Sequence, residues 1–79
     1  MGWNYWALGY VESEEEKKEI IKGLLYTITQ SLRNDKRDLE MIYNALLSLD
    51  PTLATSLNTV IYDLEQIINS LIRIRGELM

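Results

Sequence analysis

The chain contains no cysteine, no histidine and no phenylalanine, and has one proline and four glycines in 79 residues. Without cysteine there is no disulfide framework to staple a small fold. Without histidine, zinc and haem lose their usual ligands, and a Ser-His-Asp or Cys-His nucleophile cannot be assembled. Gly2, Gly9, Gly23 and Gly76 are scattered, so no glycine-rich phosphate loop exists. Positive charge is also short. Eight Lys and Arg face twelve Asp and Glu, for a net charge of -4, where a small nucleic-acid binder normally carries a basic face. The N-terminal residues lack a positive region followed by an apolar stretch, and no run approaches the roughly 20 apolar residues of a membrane span. These absences predict a protein that is not an enzyme, has no cofactor or metal, does not span a membrane, and is intracellular and cytoplasmic.

A chain this short is one domain at most, and a single core of this size rarely supplies more than about 3–5 kcal/mol. Disulfides and metals being absent, self-association or docking on a larger protein is the remaining source of stability.

Residues 1–12 stand apart from the rest. They hold both tryptophans and two of the five tyrosines, and are read as an aromatic N-terminal arm, helical or extended. Residues 13–79 read as helix. Ser13 with Glu16 fits a capping box, and Glu14 and Glu15 suit the positive end of the helix dipole. Glu14 and Lys18 have the spacing of a stabilising pair. The apolar count then runs Ile21, Leu25, Ile28, Leu32, Asp35, Leu39, Ile42, Leu46, Leu49, interrupted at Asp35 alone. The polar stretch 33–38 permits a break, with Asn34 ending one helix and Asp35 capping the next, or one helix running straight through.

Asp50-Pro51 is the strongest punctuation in the sequence, a good N-cap followed by a residue suited to the first helical position. A linker this short makes its flanking helices antiparallel neighbours. The last helix places Leu53, Leu57, Val60, Leu64, Ile67, Leu71, Ile74 and Leu78 at alternating four- and three-residue spacing, which is the pattern of a coiled-coil seam. Ile61, Ile68 and Ile72 widen that face, and Gly76 is a candidate C-cap. At 1.5 Å per residue this helix is roughly 39 Å long, against roughly 21 Å for residues 36–49. The first helical stretch must therefore cover the excess, either as a straight continuation or by folding back. The expected fold is all-α, an antiparallel helical hairpin or three-helix bundle carrying the aromatic arm.

From Met41 to Tyr62 the sole charged side chain is Asp50, and depletion of charge marks interface cores. The residues expected in contact with a partner are Tyr43, Leu47 and Tyr62 near the hairpin tip and Trp3, Tyr5, Trp6 and Tyr10 in the arm, since Trp and Tyr dominate interface hot spots. The functional reading is a helical protein–protein interaction module, an adaptor or accessory subunit of a larger complex, that associates with itself, a homodimer being the expected form. The alternative is a small helical DNA-binding regulator using Arg33, Lys36 and Arg37. Against it, these cations lie among acidic residues, and the arm offers Asn4 alone to read base edges.

Overall fold

The computed structural model describes residues 13–78. They form two helices, α1 over Glu14–Leu49 and α2 over Pro51–Glu77, packed against each other as a hairpin. The aromatic arm lies outside the described residues. Of the two courses the sequence allowed at residues 33–38, the chain takes the continuous one. α1 runs unbroken for 36 residues, because no proline or glycine interrupts that stretch and Arg37 donates a hydrogen bond to Asn34 across one turn at 3.0 Å. Among the described residues there is accordingly no third helix.

Local chemistry accounts for the ends. Ser13 is extended, with φ -78° and ψ 133°, and its hydroxyl accepts from the Glu16 amide at 3.3 Å. This is the Ser13 half of the expected capping box. Lys18 pairs with Glu15 at 3.8 Å rather than with Glu14, and Lys22 with Glu19 at 3.2 Å. Such exposed pairs contribute little each. Asp50 joins the helices by itself. Its amide donates to the Leu46 carbonyl at 2.7 Å, closing α1. Its carboxylate accepts from the amides of Thr52 and Leu53 at 3.1 and 3.2 Å, opening α2. Pro51 disfavours a helical conformation in the residue before it, and Asp50 is held extended at φ -155° and ψ 92°. At the far end Gly76 lies within α2 rather than after it; the helix closes one residue later, with the Leu78 amide donating to the Arg75 carbonyl.

Packing between the helices differs from the expected seam by one residue. In α2 the side chains turned toward α1 are Ala54, Leu57, Ile61, Leu64, Ile68, Leu71, Arg75 and Leu78, of which Ala54, Ile61 and Ile68 are buried and the others half-buried. In α1 they are Lys22, Leu25, Thr29, Leu32, Lys36, Leu39, Tyr43 and Leu46, with Asp50 following at the turn. Written as a repeating seven with the seam at a and d, the a positions are Lys22, Thr29, Lys36 and Tyr43 on α1 and Ala54, Ile61, Ile68 and Arg75 on α2. The d positions are the leucines. The expected seam therefore holds at every d leucine. Its other half, Ile28, Ile42 and Leu49 on α1 and Leu53, Val60, Ile67 and Ile74 on α2, stands exposed at position g.

The reason lies in which side chains tolerate a half-buried edge. Long polar residues can lay an apolar stem along the seam and return the charged end to water. Lys36 does so, reaching Glu40 at 3.1 Å on its own helix and Glu65 at 3.8 Å on α2. Arg75 sets its guanidinium 5.0 Å from the centre of the Tyr26 ring, a cation–π contact. Lys36 and Tyr26 are ten residues apart on one helix, and Glu65 and Arg75 ten apart in the opposite sense on the other, so the register is constant along the pair. A one-residue connection leaves little room where the helices join, and the smallest seam residue, Ala54, sits there with no exposed surface.

One seam residue carries a cost. Thr29 is buried, and its hydroxyl has no hydrogen-bond partner. Thr29→Val keeps the shape and removes the unsatisfied group, so it is expected to stabilise the fold by about 1 kcal/mol and to raise Tm by roughly 4–8 °C in a chain of this size. An unchanged or lower Tm in thermal unfolding followed by circular dichroism refutes that account. Asp50→Ala is expected to cost about 1 kcal/mol by removing the acceptor that opens α2. In urea this reads as a lower midpoint at an unchanged slope, with Asp50→Asn recovering most of the loss.

Candidate interaction face

Two features decide where the free apolar surface lies. First, the helices are antiparallel and in constant register. Second, Arg33 and Glu40 at e positions of α1 and Glu65 at an e position of α2 line one shared shallow recess. The e positions of both helices thus share one flank of the hairpin, and the g positions share the other. On that g flank α1 presents Ile21, Ile28, Asp35, Ile42 and Leu49, and α2 presents Leu53, Val60, Ile67 and Ile74.

Of the twelve large hydrophobic side chains exposed among the described residues, seven belong to this stripe. Exposed apolar residues scattered singly need no explanation, but a majority on one flank at a fixed seven-residue interval does. Leu49 is 80% exposed, Leu53 54% and Val60 51%. Its members are β-branched or leucine throughout except for Asp35, so none but Asp35 has a polar end to return to water. The opposite flank carries Tyr26, Arg33, Glu40 and Leu47 from α1 and Asn58, Glu65 and Ile72 from α2, an ordinary mixture for a solvated surface.

The residues expected from the sequence to meet a partner fall in different places. Tyr43 is half-buried in the seam against α2. Leu47 and Tyr62 are exposed, and their helical positions put both toward the mixed flank, so they are not brought together with the g stripe. Trp3, Tyr5, Trp6 and Tyr10 lie outside the described residues. The g stripe was missed as a separate surface, although every one of its members sat in the two apolar counts. The signal was the polar or small character of the alternate column, Lys22, Thr29, Lys36 and Tyr43, against the aliphatic character of Ile21, Ile28 and Ile42.

Arg33, Lys36 and Arg37 do come together, along the recess that also holds Glu40, Glu65, Ile68 and Asn69. Part of their charge is met from within. Lys36 pairs with two carboxylates, and Arg37 is bonded to Asn34. Glu14, Glu15 and Glu16 occupy the first turn of α1 beside its cap, and among the described residues no acidic cluster is arranged to hold a metal ion. No helix among them is long and apolar enough to cross a membrane.

Comparison with protein-family models, with curated protein sequences and with solved structures gave no match. The functional reading accordingly stands on the residues and their arrangement.

A patch with this charge balance should hold duplex DNA weakly or not at all. At 150 mM salt no retained complex is expected in a mobility-shift assay, and Arg33→Gln with Arg37→Gln should change nothing. A logarithmic salt slope steeper than about -2, removed by that double variant, would establish phosphate binding instead.

Proposed function

We propose that this chain is a non-enzymatic helical protein–protein interaction module, an adaptor or accessory subunit, and that it docks through the aliphatic g flank of its hairpin. One observation carries the reading: Ile28, Ile42, Leu49, Leu53, Val60, Ile67 and Ile74 are exposed together on one side of the molecule, while the polar side chains that could shield them sit in the seam. Helices apolar on two adjoining faces are normally covered on both. Position c beside the stripe is small or short over Ser31, Asp38 and Ala45 on α1 and Ser56, Asp63 and Ser70 on α2, which lets another backbone approach closely. A thin pair of helices without disulfide or metal also needs the added burial. The same reading makes Leu47, Tyr62 and the arm residues Trp3, Tyr5, Trp6 and Tyr10 secondary contacts beyond the main face.

Placement of a photo-crosslinking phenylalanine analogue tests this directly. At Val60, on the g flank, irradiation in the native host should yield discrete covalent adducts on a denaturing gel. At Thr59, one residue away and turned outward, it should yield none. Absence of adducts at Val60, or equal adducts at both sites, overturns the docking assignment.

A further inference from the structure

We propose that the occupant of the g flank is a second copy of this chain, giving a two-fold four-helix bundle in which α1 of each copy lies against α2 of the other. The inference rests on the docking reading above and names the partner. Three observations carry it.

The first is register. The Lys36–Glu65 and Tyr26–Arg75 contacts place each g residue of α1 from Ile28 to Leu49 within about one residue of the level of a g residue on α2. The flank is thus a ladder of paired layers, Leu49 with Leu53, Ile42 with Val60, Asp35 with Ile67, and Ile28 with Ile74. A two-fold axis parallel to the helices turns this ladder onto itself layer by layer, which is the self-complementarity that an isologous interface requires. The second is area. From Ile28 to Leu49 the paired stripe is about 32 Å long and two helices side by side are about 20 Å wide. The product is about 600 Å² per copy, at the lower end of the range for standard stable interfaces.

The third is charge, which selects between the two ways of stacking the flanks. A two-fold axis across the helices would lay α1 on α1 and bring the two Asp35 carboxylates together at the middle of the stripe. An axis along the helices sets Asp35 opposite the Ile67 layer and puts the two carboxylates on the bundle diagonal. It also brings Asp38 level with Asp63 of the second copy, but both are exposed at the rim, where like-charge repulsion is weak compared with that between two enclosed carboxylates; the middle layer is thus acidic while the layers above and below are aliphatic. A single polar layer in an otherwise apolar seam fixes register at a cost in affinity. Like-charge repulsion there makes added salt tighten the association, by screening.

Sedimentation equilibrium of the full chain should give twice the 9.2 kDa of the single chain. The dimer should tighten as salt rises from 50 to 500 mM, and Asp35→Leu should lower its dissociation constant by at least about tenfold. A cysteine pair decides the geometry without disturbing the fold, since the native chain has no cysteine. Ile42→Cys and Val60→Cys chains, unfolded together, refolded and oxidised, should form chiefly the mixed disulfide dimer. Disulfides of Ile42→Cys with itself alone, or none, would overturn the arrangement. A chain that stays at 9.2 kDa through millimolar concentration overturns the second-copy occupant. In that case adducts to a foreign protein at Val60 keep the docking reading, and no adduct at all removes both.

Discussion

Everything about this hairpin follows from joining two long helices through a single residue. Asp50 gives its amide to the last turn of α1 and its carboxylate to the first turn of α2. No slack remains for either helix to rotate or slide about the join independently. The connection therefore sets the direction of α2, its register, and the rotational setting of each helix toward the other. The rotational setting has the largest effect, because each helix is apolar over more than one face and the join selects which of those faces is enclosed.

The enclosed face is not the most apolar one available on α1. It contains Lys22, Thr29, Lys36 and Tyr43 where the neighbouring column offers Ile21, Ile28 and Ile42. The arrangement is tolerable because Lys36 and Arg75 find partners at the edges of the seam, Glu40 and Glu65 for one and the Tyr26 ring for the other. It is imperfect at Thr29, whose hydroxyl is left without a partner. Polar side chains with reach are thus spent inside the hairpin, and side chains without reach are turned outward. For an isolated hairpin in water the opposite allocation would be more stable. Under the proposed docking the helices would serve two seams at once, the inner one carrying some polarity and the outer one supplying dry burial.

Much of the fold was legible in the sequence. Ser13 before three glutamates, and Asp50 before the lone proline, announce helix starts through hydrogen-bonding chemistry that acts over three residues, and both starts are where the structure has them. The antiparallel pairing follows from the shortness of the link. Continuity of α1 through residues 33–38 was left open because Asn34 and Asp35 are good capping residues as well as tolerable helical ones; the heptad count passing straight through was the better guide. The seam was half legible. Leu25, Leu32, Leu39 and Leu46, with Leu57, Leu64 and Leu71, belong to both adjoining faces of their helices and are identified either way. Choosing between the columns on each side of them is a matter of rotation, which depends on the Asp50 geometry and on partners such as Glu65 and Tyr26 that are distant in sequence. Tyr43 and Leu47 looked alike as uncharged residues near the tip, yet one lies in the seam and the other outside it, since four residues along a helix suffice to cross from a to e.

The lack of slack at Asp50 also bears on how such a chain can change in length. Each residue advances the helix by about 100° and 1.5 Å, so the layered flank survives only those insertions that return every later side chain to its original bearing. Seven residues added to both helices at one level would lengthen the ladder by one rung and leave the rest untouched. One residue added to α2 alone would swing Val60, Ile67 and Ile74 away from the flank they share with Ile28 and Ile42, leaving composition almost unchanged and the common surface gone. Descendants of this sequence should therefore tolerate substitution along the flank far better than a shift in phase, and should differ in size by paired heptads.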